Sequence, residues 1–225
     1  MRIVLVSSPG SGPGPHWSQD TAAALATLLR AGGADVHWFC VAARALASPA
    51  QAEVVSLRRR PRVERVAAGL QHTGLEVALT RVLRARPADA VVHLGAGAGG
   101  SPNVGWVAAR MGSPAFAVVR SAEVVCQRGD LVHASGAACE RFDDAERCRA
   151  CCARGVVFGP RADDLRNRRD LLLAGLAVAE AVFVEDDVGC ARLVSYGLTA
   201  RRLHATHDVT AIAARLGTAP IDVRP

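Results

Sequence analysis

The chain has 225 residues, half of them apolar and only 4% aromatic, with a formal net charge of +6. That length accommodates one large domain with a substantial core, and an Ala/Val/Leu-rich composition favours a layered α/β domain over an aromatic-rich β-sandwich. Its basic residues are all Arg, 27 in number, and no basic stripe interleaved with aromatics occurs, so the charge does not point to nucleic acid.

In chain order, Arg2–Ser7 is a short β-branched run that predicts a strand ending at the Gly/Pro/Ser loop Pro9–Pro15. Ser18 is placed to cap a helix over 19–31, which Gly32 and Gly33 stop. Asp35–Val41 predicts a second strand and Val54–Leu57 a third. The RRRPR run at 58–62 reads as a solvated loop before a helical region from Val63 to Arg84. Ala88–Leu94 is the clearest inner strand and runs into the glycine loop 95–101. A helix over 103–110 then leads to a strand at Ala115–Val119. Beyond a cysteine-rich stretch come a helix at Asp163–Glu180, a strand at Ala181–Val184 and a helix at Asp187–Ser195. A weak strand at Arg202–Ala205 follows, with at most one more helix.

Apolar strands without period-2 alternation, separated by helices, imply a parallel sheet covered on both faces. The expected fold is a single doubly wound, Rossmann-like α/β domain over residues 1–225, with a cysteine-rich insertion at 120–155. In such folds ligands sit at the carboxyl ends of the strands, which directs attention to the loops 8–17, 95–101 and 120–126. The longest apolar run, Leu171–Val184, is too short to span a bilayer, and no export signal is visible. The expected location is therefore cytoplasmic and reducing, with cysteines free or metal-bound rather than disulfide-paired.

Five of the seven cysteines fall within the 27 residues 126–152, and Cys126, Cys139, Cys148 and Cys151 follow the spacing C-x12-C-x8-C-x2-C. Four thiolates suit a tetrahedral structural zinc, and a segment this poor in apolar residues needs such a staple. Cys152 or His133 is an alternative fourth ligand. The metal is expected to be structural, because four protein ligands leave no position for a reacting water. Cys40 and Cys190 read as core residues.

Gly95, Gly97 and Gly100 form a G-x-G-x-x-G between a strand and a helix. A dinucleotide site needs an acidic residue at the end of the next strand, and Arg120-Ser121 stands there, so only an NADP-type variant is compatible. Otherwise these glycines form an acceptor-side loop or a tight crossing. Gly12 and Gly14 precede His16 and Trp17, which suit either sugar stacking or a hydrophobic staple onto the following helix. His93, at the end of an inner strand, is either a cleft residue or a core histidine. Arg120 can grip a phosphate or carboxylate with two parallel hydrogen bonds, but a guanidinium keeps its proton and is no general base. Glu123 and the Glu185-Asp186 pair are the nearest carboxylates that could serve. No Ser-His-Asp order or nucleophile elbow is present.

The order MRIVLVSS, a Gly/Pro loop, a helix ending AGGADVHWF, then ADAVVHL, resembles the amino-terminal domain of family 4 glycosyltransferases. The likeness continues through VVRSAEVVCQRGDLVHASGAACERFDDAERCRACC, which follows the layout of a cysteine-bearing subgroup, and AEAVFVEDDVGCARLVSYGLTARRLHATHDV. It spans roughly residues 1–210. The resemblance implies half of a GT-B fold, the acceptor side. It also implies a protein partner, either a separate donor-binding chain that holds the nucleotide sugar or a second copy of this chain. It places Gly12, Gly14, His16, Trp17, His93, Gly97 and Arg120 along the acceptor cleft. The chain departs from the family where its Gly-Gly pair becomes His16-Trp17, its His-Asp pair Arg120-Ser121, Pro-Ser Glu185-Asp186 and Asn-Gly His207-Asp208, and the catalytic residues are left unassigned. The alternative is a zinc-stabilised binding or scaffold protein that shares the fold without turnover.

Overall fold

A computed structural model describes residues 1–7, 17–40, 73–96, 101–126, 128–139, 144–153 and 162–218. Six strands form one parallel sheet: β1 (Arg2–Ser7), β2 (Asp35–Cys40), β3 (Ala90–Leu94), β4 (Ala115–Val119), β5 (Ala181–Val184) and β6 (Leu203–Ala205), in the spatial order β2-β1-β3-β4-β5-β6. The helices are α1 (Trp17–Ala31), α2 (Thr73–Ala85), α3 (Val104–Arg110), α4 (Ser121–Val125), α5 (Ala145–Ala153), α6 (Ala162–Ala177), α7 (Asp187–Ser195) and α8 (Val209–Thr218). This is the α/β Rossmann-like domain expected from the alternation of apolar runs and helical stretches.

Alternate residues of each strand supply the two faces. Ile3, Leu5, Val92, Val118 and Phe183 pack beneath α1 and α8, where Leu25, Leu29, Ile212 and Leu216 are buried. Val4, Val6 and Val91 pack against Leu75, Leu79 and Leu83 of α2 and Ala108 of α3. Val119, Val182 and Val184 meet Val124 of α4, Leu172 and Leu176 of α6 and Leu193 of α7. The sheet is apolar on both sides, hence the absence of in/out alternation.

Two glycines permit α6 to lie close under α3. A Cβ on Gly175 would sit 2.1 Å from the Pro102 carbonyl oxygen, and one on Gly105 would sit 2.6 Å from that of Gly175. Bare backbone is required at both. Asp186 caps α7 by accepting from the Gly189 backbone N–H at 2.6 Å.

Several boundaries differ from the expectation. α1 begins at Trp17, so Ser18 lies inside its first turn rather than capping it. The cysteine-rich stretch contains the helices α4, in the expected loop 120–126, and α5, where no element was assigned. The expected strand at Val54–Leu57, the RRRPR run and the loop carrying Gly12, Gly14 and His16 lie outside the described residues, as does Gly97.

Candidate functional site

In the order β2-β1-β3-β4-β5-β6 the winding reverses between β1 and β3, which opens a crevice at the carboxyl ends of the central strands. The helix α1 delivers Trp17 to that end from β1, and β4 delivers Arg120, Ser121 and Glu123. Glu185 follows β5, and His207 follows β6.

Trp17 is the hub. Its indole Nε1 donates to Glu123 Oε1 at 2.6 Å, and its ring stacks on His207 with centroids 5.4 Å apart and planes 9° from parallel. Arg120 holds its guanidinium 4.9 Å from the same ring centroid, a cation–π contact. Trp17 is 8% exposed, so the indole organises these groups from the interior.

Glu123 is fully buried, and its Oε2 accepts from the Ala96 backbone N–H at 3.2 Å. Burial pushes its carboxyl pKa up, while the Trp17 and Ala96 donors and the Arg120 and Arg168 guanidiniums pull it back. Beside it, Glu185 accepts from both the backbone N–H (2.8 Å to Oε2) and the hydroxyl (2.5 Å to Oε1) of Ser121. The Ser121 hydroxyl in turn accepts from Arg192 Nη1 at 2.5 Å. This closed set of bonds fixes the turn into α4.

His207 Nε2 lies 3.0 Å from the Val119 carbonyl oxygen. A carbonyl can only accept, so Nε2 carries the proton and Nδ1 keeps its lone pair. Burial lowers the His207 pKa, with a smaller lowering from Arg120 and opposing contributions from the Val119 carbonyl, Glu185 and Asp186. The imidazole is thereby kept neutral near pH 7. Arg120, Ser121, Glu185 and His207, which come from the ends of three different strands, thus gather near Trp17.

His93 does not join this group. It is 7% exposed and lines an interior cavity between the sheet and the α3/α6 pair, with Pro102, Gly105, Phe116, Leu172 and Leu176. Its Nε2 is buried with no hydrogen-bond partner, and desolvation lowers its pKa to about 4.

A second polar centre lies beyond α4. Cys126, Cys139, Cys148, Cys151 and Cys152 line one cavity together with His133, Arg128 and Arg147. The hairpin 128–139 presents Cys139, bridging Val132 to Ala138, with Gly129, Leu131 and Gly136 all at positive φ. Cys148, Cys151 and Cys152 come from α5. Burial, then the neighbouring thiols, raises the pKa of Cys148 to about 11; burial raises that of Cys152 to about 11 as well. Among the described residues, no three His, Cys, Asp or Glu side chains are already drawn together as a metal centre. Cys40 is buried in the core, and Cys190 is half-buried on α7.

Sequence reasoning did not single out Arg168. It is 3% exposed, and its Nη2 donates to the carbonyl oxygens of Ala96 (2.8 Å) and Glu123 (3.0 Å). The available signal was its position four residues before Leu172 and eight before Leu176, on the buried face of α6.

No family model matches the chain, and no curated protein matches it in sequence. Its fold has solved counterparts. The UDP-GlcNAc 2-epimerase from Methanocaldococcus jannaschii is 12% identical with a TM-score of 0.51, over 96% of this chain and 49% of that one. The S. aureus MnaA-UDP structure is 12% identical with a TM-score of 0.49, over 96% and 46%. The lipopolysaccharide outer core galactosyltransferase WaaB, in apo form, is 8% identical with a TM-score of 0.44, over 91% and 44%. These are proteins of GT-B type, and the chain spans about half of their length. At such identities the likeness is one of fold. Among the described residues, no helix is long and apolar enough to cross a membrane.

Proposed function

We propose that this chain is the acceptor-side half of a glycosyltransferase-like protein, working with a separate donor-binding chain that holds the nucleotide sugar. The observation that carries this reading is the His207 imidazole, its Nε2 held on the Val119 carbonyl and its ring stacked on the Trp17 indole that Arg120 also contacts, at the carboxyl edge of the sheet. Arg120 binds an anionic group on the acceptor and orients it. His207 Nδ1 then takes the proton of the acceptor hydroxyl as that oxygen bonds to the anomeric carbon. The bond from the anomeric carbon to the nucleotide's phosphate oxygen breaks, and the nucleoside diphosphate leaves with the electron pair.

Two measurements test this. In ligand-observed NMR, a phosphorylated sugar such as glucose 6-phosphate is expected to bind, UDP alone is not, and Arg120→Ala should weaken the sugar phosphate at least tenfold. Labelled-sugar transfer from UDP-N-acetylglucosamine to sugar-phosphate acceptors should appear only when a donor-binding half is added, and should vanish in His207→Ala. Transfer by the lone chain, or an unchanged rate in His207→Ala, overturns the reading.

The closed bonding of Ser121 to Glu185 and Arg192 favours a second reading, a binding protein without turnover. Arg120-dependent sugar-phosphate binding that persists with no transfer in the presence of the donor half would select it.

A further inference from the structure

We infer that the cysteine cavity holds a structural zinc ion through four thiolates, and that Arg168 is the outer cation which ties this centre to the crevice. This stands apart from the sugar-transfer reading, since it concerns the thiols and one guanidinium whatever ligand the crevice takes.

Five thiols and an imidazole line a single cavity, and they arrive from three separate elements: the end of α4, the hairpin 128–139 and α5. Soft thiolate donors at this density match zinc better than any hard cation. Because no three of the donors already meet at one point among the described residues, capture of the ion includes rotation of the thiols toward it.

Four thiolates around a divalent zinc leave a net double negative charge, and such a centre needs cations and N–H donors in its outer shell. Arg128, which also pairs with Asp130 at 3.3 Å, and Arg147 line the cavity. Arg168 lies outside this lining, buried and bonded to the Glu123 carbonyl three residues before Cys126, with Cys126 and Cys152 within electrostatic reach of its guanidinium. Its Nη2 is spent on two carbonyls, but its Nε is buried with no hydrogen-bond partner. A buried N–H donor of a charged group is costly to leave unmet, and a metal-bound thiolate is the acceptor it lacks.

The same guanidinium grips the backbone of Glu123 and of Ala96, and Glu123 receives the Trp17 indole N–H. Cys126 itself ends α4, its backbone N–H donating to the Ala122 carbonyl at 2.8 Å. Zinc would therefore draw the end of α4 and Arg168 together, and so set the carboxylate on which Trp17 rests. Loss of the metal would be felt at Trp17 through this relay.

The test uses the whole chain, purified without added metal, with zinc as the probe. Elemental analysis should find one zinc per chain, and cobalt replacement should give the intense visible bands of a tetrahedral thiolate site. In proton–nitrogen NMR spectra, removal of zinc by a chelator should shift the Trp17 indole N–H signal, assigned with Trp17→Phe, and zinc should restore it. Arg168→Met should bind zinc at least tenfold more weakly and lose the Trp17 response. Should that variant not fold, the Arg168 Nε–H signal of the unaltered chain serves instead, and it should move downfield on zinc binding. A chain with no stoichiometric zinc, or with disulfides among these cysteines, overturns the site. An unmoved Trp17 signal, wild-type zinc affinity in Arg168→Met, or an unmoved Arg168 Nε–H overturns the link.

Discussion

Trp17 and Glu123, 106 residues apart in the chain, meet through a 2.6 Å hydrogen bond from indole Nε1 to carboxylate Oε1. The bond joins the start of α1 to α4 across the carboxyl edge of the sheet. Both carboxylate oxygens are committed, since Oε2 accepts from the Ala96 N–H. Glu123→Ala would strand two buried donors, an expected cost of about 2–4 kcal/mol in denaturant unfolding. Glu123→Gln keeps only one acceptor oxygen and turns an amide N–H toward the other donor, so it should fall between the two.

The crossing of α3 and α6 gives a contrasting pair of glycine substitutions. Gly175→Ala forces a Cβ against the Pro102 carbonyl, where nothing flexible can yield, and should cost about 3 kcal/mol or more. Gly217→Ala, in α8 with open space around the new methyl and no positive φ, should instead stabilise by about 0.5 kcal/mol. Urea midpoints of the two variants should move in opposite directions.

His93 makes stability depend on pH with a definite sign. Its folded pKa of about 4 lies below the ordinary 6.5, so the unfolded chain binds the proton more readily. Its contribution is complete above pH 6.5 and falls away as the pH drops toward 4, a loss of about 3 kcal/mol over that window. Glu123, whose carboxyl pKa is raised, acts with the opposite sign: what it adds at low pH is lost as the pH rises through its folded pKa. His207, also lowered, acts in the same direction as His93. The comparison of His93→Leu with the unaltered chain isolates the His93 share: the variant should lose less stability between pH 7 and pH 4.5. Equal losses would contradict the buried, partnerless imidazole.

Asp186 gives a local test. Asp186→Ala removes the acceptor for the Gly189 N–H at the start of α7 and should cost about 1 kcal/mol. Asp186→Asn or Asp186→Ser should recover most of it.

The strands β1, β3, β4 and β5 are legible in the sequence because each is a short β-branched run bounded by turn residues, and burial on both faces removes competing patterns. The start of α1 is not, because Trp17 looks like a flanking residue until Glu123 is seen to fix it from the far side of the sheet. The helix α5 is hidden by its composition: AERCRACCA offers good helix formers but no apolar stripe, and it is held by docking on α6. Arg120 and Trp17 were visible as candidates, yet their contact was not, nor that of His207, since those pairings link distant strand ends. Arg168 shares the helical spacing of Leu172 and Leu176, but the carbonyls of Ala96 and Glu123 that hold it come from distant parts of the chain and appear only once the helix is packed.

Because Trp17 stacks on His207 and α1 packs against α8, the crevice draws on residues near both extremes of the described chain. During synthesis the first of these leaves the ribosome long before the second. The central strands can pair while translation continues, but the imidazole and its indole support come together only once His207 has emerged. A nascent chain halted before residue 203 would thus present a largely formed sheet with an unfinished crevice.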